Sequence, residues 1–196
     1  MESGYFLAGY RVATRPDRQD WQDTSLPATD LVSLSDCVVD LIPTKPDGWD
    51  DWFGTVHEAE AARKQAAEPG FHVLAVGIAT ADVPEVLTDV ADSGWRTAAD
   101  SFPEFLARRE TFPHDGGLRL GFEPVGFGHG WHTWTCLGGL VGDVRRATGV
   151  RPGRWGLIQD ERDARRAARR LTDSGLGDPK VFFWTAALLA DLTAAV

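Results

Sequence analysis

Apolar residues recur along the chain with two periods, near two and near 3.6, and each period predicts a kind of element. Tyr5 to Thr14 (YFLAGYRVAT) is rich in aromatic and β-branched residues and stops before Pro16, which predicts a first strand. Leu31 to Ile42 (LVSLSDCVVDLI) alternates for part of its length and closes on an apolar run before Pro43, which predicts a half-buried strand with Cys37 in the core. Phe71 to Thr80 (FHVLAVGIAT) is almost continuously apolar, as a central strand covered on both faces would be, with His72 in a structural place at its start. Leu118 to Phe127 predicts another strand, interrupted by Pro124, whose missing N–H favours an edge or a bulge. A short WGLI strand at residues 155–158 and a last strand from Val181 to Trp184 complete the set.

Helices fall between these runs. Thr55 and Glu58 have capping-box spacing ahead of a run of good helix formers that Pro69-Gly70 stops. Asp82 and Pro84 open a second helix that extends to about Val90 and ends at Ser93-Gly94, and a short one follows from Pro103 to Arg109. Apolar residues at 137, 140, 141 and 144 make a helix face that Gly149 closes. Asp160 to Leu171 carries an alanine stripe, Ala164, Ala167 and Ala168, with arginines on the rest of its circumference, and Ala186 to Leu192 predicts a closing helix. The order implies an α+β or α/β fold spanning residues 1–196 as a single domain, with about five strands in a mixed sheet and helices packed on it. Val181 to Val196, the most apolar stretch, contains Asp191 and falls short of the ~20 residues that span a bilayer, so no membrane partner is expected.

Composition adds a sign and a compartment. The 43% hydrophobic and 25% charged content is that of a globular chain, and eight Trp and ten Phe supply large rings for a core or for binding anchors. The net charge of −9 is uneven: residues 1–100 hold 7 Lys/Arg and 18 Asp/Glu, the remainder 13 and 11. Such a field repels nucleic acid and attracts a basic protein partner. Two cysteines, Cys37 and Cys136, and an opening without the features of a secretory leader lead us to expect a reducing cytoplasm.

Chemistry-bearing residues concentrate between 117 and 158. If His129 to Cys136 were helical, His129, His132 and Cys136 would share a face suited to zinc, with Cys37, His114 or Asp115 completing the set. Alternatively Cys136 would be a nucleophile with His132 or His129 as its base, in a cleft roofed by Trp131 and Trp134, which would make a small hydrolase or transferase. Packing is the simpler role for a cysteine, so neither a metal nor a catalytic residue is assigned and no cofactor is expected. The glycines at 126, 128 and 130, and at 138, 139 and 142, match no dinucleotide pattern, and no Walker lysine is present. An aromatic pocket for a small molecule is a third possibility.

The segments GFEPVGFGHGWHTWTCLGGL, VRPGRWGLIQDERDARRAAR and FFWTAALL, with YFLAGYRV and SLSDCVVDL near the start, resemble a pattern of small, actinobacterial-like bacterial proteins to which no activity is attached. In size and acidity the chain is similar to the immunity proteins that bacteria keep beside secreted toxins. That resemblance implies a cytoplasmic inhibitor that covers a toxin's active site. Protein binding is therefore the expected function. Its contact surfaces are the acidic loop Trp49, Asp50, Asp51 and Trp52 and the turn bearing His129, Trp131, His132 and Trp134.

Overall fold

The β-branched runs at Tyr5 and His72 pair antiparallel, Tyr5 opposite Ala79 and Ala13 opposite His72, and the rest of the sheet is built outward from them. The structure is a computed structural model that describes residues 4–14, 31–35, 52–65, 70–93, 101–127, 131–135, 139–175 and 183–193. The strands are β1 (Tyr5–Ala13), β2 (His72–Ala79), β3 (Leu118–Phe127), β4 (Trp131–Thr133) and β5 (Trp184–Asp191), in the spatial order β1-β2-β5-β3-β4. Every pairing is antiparallel, and the sheet curls into a half-barrel. Among the described residues five helices accompany it: α1 (Val56–Gln65), α2 (Val83–Asp92), α3 (Phe102–Ala107), α4 (Leu140–Thr148) and α5 (Glu161–Ser174). The fold is α+β, with an antiparallel sheet in place of the mixed one expected. No described helix is long and apolar enough to cross a membrane.

Local chemistry sets most helix ends where the sequence predicts them. Glu58 Oε2 accepts from the Thr55 N–H at 2.9 Å while the Glu58 N–H donates to Thr55 Oγ1 at 3.3 Å, closing the capping box of α1. Asp160 caps α5 by accepting from the Asp163 N–H at 2.9 Å. Pro124 sits inside β3, opposite Ala186 of β5. Backbone groups of neighbouring Phe122 bond to Ile158 and the Pro124 carbonyl accepts from Trp134, so at this register the strand bonds away from β5 and the missing N–H removes no β3–β5 bond.

Three sequence-based expectations change. Leu31 to Ser35 is not a strand, although most of it is buried: the Val32 N–H goes to the Trp155 carbonyl and the Leu34 N–H to a side chain, so the ladder is replaced by tertiary bonds. Residues 36–42 of that expected strand, Cys37 among them, lie outside the described residues. The WGLI strand is a 3₁₀ turn over Arg154–Gly156, with Trp155 at φ 58°, followed by a single bridge from Ile158 to Phe122. The closing helix is instead β5, the middle strand of the sheet, which pairs with β2 on one side and β3 on the other. Ala and Leu favour a helix in isolation, but two waiting strand edges supply a full set of backbone partners and override that preference.

Period-two alternation sorts the sheet into two faces. On one, Ala75, Ala79, Ala186, Leu188 and Ala190 pack against the Ala164, Ala167 and Ala168 stripe of α5 and the apolar side of α4. On the other, Leu74, Val76, Ile78, Val125, Phe127 and Leu189 face α2, α3 and a cluster of rings. Gly9 lies at a β1 bulge on this second face with φ 121°, where a Cβ would stand 2.9 Å from the Phe105 ring and 3.2 Å from Trp52. Glycine there lets the rings approach the strand.

Candidate functional site

The two segments singled out as contact surfaces meet on the ring face. Trp52 stacks on Trp131 with ring centroids 4.7 Å apart and planes 22° apart. Phe102 lies 4.4 Å from Trp131, and Phe127 meets Trp131 edge-on at 4.5 Å. Trp131 is 2% exposed and Trp52 8%, so both rings are core mass. Trp131 therefore cannot be a surface anchor as it stands.

Trp131 to Thr133 is strand β4, not a helical turn, so the spacing argument that placed His129, His132 and Cys136 on one helix face does not apply. Alternation sends Trp131 and Thr133 to the ring face, while Trp134 is fully buried in the cluster on the opposite face. Trp131 and Trp134 thus do not roof one cleft. His132 is half-buried, and its Nδ1 has no hydrogen-bond partner. His129, Cys136, Trp49, Asp50 and Asp51 lie outside the described residues. His114 packs edge-on against Phe112 at 5.2 Å, and among the described residues no group of three or more His, Cys, Asp or Glu could hold a metal.

Beside the ring stack the structure assembles a buried polar group that the sequence reading did not single out. Glu123 of β3 is 0% exposed and shares its face with Val125 and Phe127. Its carboxyl accepts from the Leu34 N–H at 2.7 Å and from Ser33 Oγ at 2.7 Å, with Thr135 Oγ1 at 3.4 Å and Thr133 Oγ1 hydrogen-bonded to Thr135 at 2.8 Å. Burial pushes the Glu123 carboxyl up to about 7, against the opposing pull of the Leu34 N–H and the hydroxyls of Ser33, Thr133 and Thr135. Arg11 of β1, 3% exposed, donates to the Leu34 carbonyl at 3.2 Å and lies 5.3 Å over the Trp52 ring. One peptide segment is thereby clamped by a guanidinium at its carbonyl and a carboxyl at its N–H. The arrangement positions residues 31–35 beneath the ring stack.

Two signals for this group were present in the sequence: Glu123 and Arg11 are charged residues inside apolar strands, at positions whose parity points inward. Of the partners of Glu123, Thr135 lies 12 residues on, just past the strand that pairs with β3, whereas Ser33 lies 90 residues away and carries no local signature. At the far end of the sheet Asp191 forms a second polar group, bonded to His72 Nδ1 at 2.8 Å and to the Thr193 hydroxyl and N–H. Burial raises the Asp191 carboxyl, but the bonds from His72 and Thr193 outweigh it and hold it well below the usual carboxylate range. His72 thus ties the start of β2 to the end of β5, in keeping with the structural place expected for it.

Comparison of the chain with protein-family models, with curated proteins and with solved structures finds no match to any of the three.

Proposed function

We propose that the protein acts by binding a basic protein partner, in the manner of a cytoplasmic immunity-type inhibitor, through the acidic segment that runs into Trp52. The observation that carries this reading is the Trp52–Trp131 stack: the residue immediately after the Asp50-Asp51 pair is held in the core between the rings of Trp131 and Phe102, with the Arg11 guanidinium over it. A contact segment tethered to a rigid anchor loses less conformational freedom on binding, and acidic side chains beside it steer a basic partner. The excess of acid in residues 1–100 supports the same direction. Trp52 and Trp131 then serve as the support of the surface, while Trp49, Asp50, Asp51 and His129 supply contacts.

The test compares the immobilised protein with its Asp50→Lys/Asp51→Lys variant in capturing basic proteins from the cells that make it, at low and high salt, with quantitative mass spectrometry. A basic partner held by the wild type at low salt and weakened about tenfold or more by the charge reversal is expected. An identical captured set for both proteins overturns the assignment.

A further inference from the structure

We infer that residues 31–35 form a proton-controlled latch at one end of the proposed contact segment: loss of the Glu123 proton releases them from the ring face ahead of global unfolding. The stretch that bears Trp49, Asp50 and Asp51 joins two anchors along the chain, residues 31–35 before it and the stacked Trp52 after it. The consequence for binding rests on the protein-binding reading. The release itself is a property of the fold and is read without a partner.

Residues 31–35 are mostly buried but have no strand ladder, so side chains and single backbone bonds hold them. Two of those bonds end on one carboxyl, the Leu34 N–H on Glu123 Oε2 and the Ser33 hydroxyl on Glu123 Oε1, both at 2.7 Å. The Val32 N–H reaches the Trp155 carbonyl at 3.0 Å, and Trp155 is held at φ 58°, in the left-handed region that bulky side chains avoid. The described bonds to Glu123 all come from neutral donors, the Leu34 N–H and the hydroxyls of Ser33 and Thr135. Charged groups reach this region from three sides. Arg11 of β1 donates to the Leu34 carbonyl at 3.2 Å, Arg154 lies over the Trp155 ring, and Asp89 of α2 has a carboxyl raised first by its own burial and then by Asp92 and Glu85. On β5 the residue opposite Glu123 is Ala187. Neutral donors return only part of the hydration that an ionised carboxylate loses at 0% exposure, so opening lets the charge regain water, and half-buried Ser33 marks where water enters. Burial raises the carboxyl to about 7 in the closed segment, whereas in an open, hydrated one it ionises from about 4.5. The open fraction therefore rises with pH between those values and levels off above them.

The experiment follows hydrogen exchange of the native protein by NMR at the Val32 and Leu34 amides and at the amides of β2, across this pH range and in low concentrations of urea, with each rate divided by the intrinsic chemical rate at that pH. Protection of Val32 and Leu34 is expected to fall about tenfold or more from the acid to the neutral end of the range and to depend weakly on urea, as a local opening does, while β2 keeps the steep urea dependence of global unfolding. Glu123→Gln should hold that protection constant. Ser33→Ala takes one donor from the ionised carboxylate and should move the levelling-off to higher pH, which decides the matter should Glu123→Gln fail to fold. Protection that does not change with pH, a change that survives in Glu123→Gln, or a urea dependence at Leu34 as steep as that of β2 overturns the latch. A latch that opens as expected in a protein whose captured set is unaltered by Asp50→Lys/Asp51→Lys keeps the device and removes the binding reading alone.

Discussion

On the helix-covered face of the sheet, Ala75, Ala79, Ala186 and Ala190 meet Ala164, Ala167 and Ala168 of α5, while the opposite face sets Trp52, Phe102, Phe127 and Trp131 against Ala8, Val76 and Leu189. The alanine face packs the small side chains of α5 on strand alanines and buries Phe122, Trp134 and Trp184 in the same cluster; the ring face stacks Trp52, Phe102, Phe127 and Trp131, drawn from distant segments, on one another. These solutions differ in what they tolerate. A close-packed small-residue interface has no room for added atoms, and a ring stack cannot lose one without leaving a void. The ring face also carries the costs of Arg11 and Glu123, two buried ionisable side chains that are stable only because their partners are in place.

The largest effect should come from breaking the stack. Trp131→Ala removes a ring that touches Trp52, Phe102 and Phe127, and a loss of about 3–5 kcal/mol in denaturant unfolding is expected. A loss below about 1 kcal/mol would mean that the ring face is not close-packed and would return Trp131 to the surface role.

Next in size is a pH effect confined to the same face. Because the folded-state carboxyl of Glu123 is raised to about 7, the folded chain holds one more proton than the unfolded chain between the ordinary glutamate range and that value. Stability should therefore fall as pH rises from about 4.5 to 7, by at most about 3 kcal/mol, and level off above that. Glu123→Gln, which can still accept from the Leu34 N–H while its amide donates to a hydroxyl, should remove the slope between about 6 and 7 and leave below it the part contributed by Asp89, whose carboxyl burial raises to about 6. Urea unfolding at several pH values reads the slope, and an unchanged slope in the variant would show that Glu123 is not its source.

The smallest of the three tests the alanine face. Ala167→Leu adds three carbons where the side chain is fully buried against the sheet, and about 1–3 kcal/mol of destabilisation is expected from overpacking. Equal or higher thermal stability would show slack between α5 and the strands, and the contrast between the faces would dissolve.

Much of the framework was legible in the linear pattern. β1, β2, β3 and the helices α1 to α5 lie within a few residues of the stretches whose period and end signals predict them, because caps, proline starts and glycine stops act over a turn or less. Two of the three misread elements show where locality ends. Residues 31–35 have a strand pattern but give their backbone bonds to Trp155 and Glu123, and Ala186 to Asp191 have helix-forming residues but are claimed by two neighbouring strands. In the candidate site, the ring-rich segments were visible as composition, but not that Trp52 and Trp131 would face each other inward.

The amino-acid sequence by itself determined that one fold combines strands and helices, the acidic imbalance and the ends of the helices, since these depend on the residues themselves and their near neighbours. Tertiary structure alone decided the antiparallel strand order, and with it α+β over α/β, the burial of Trp131 and Trp134 on opposite faces, and the shifted carboxyl of Glu123. Each of those is a sum over groups brought together from far along the chain, and a side chain's burial, partner and charge state have no value until those groups have met.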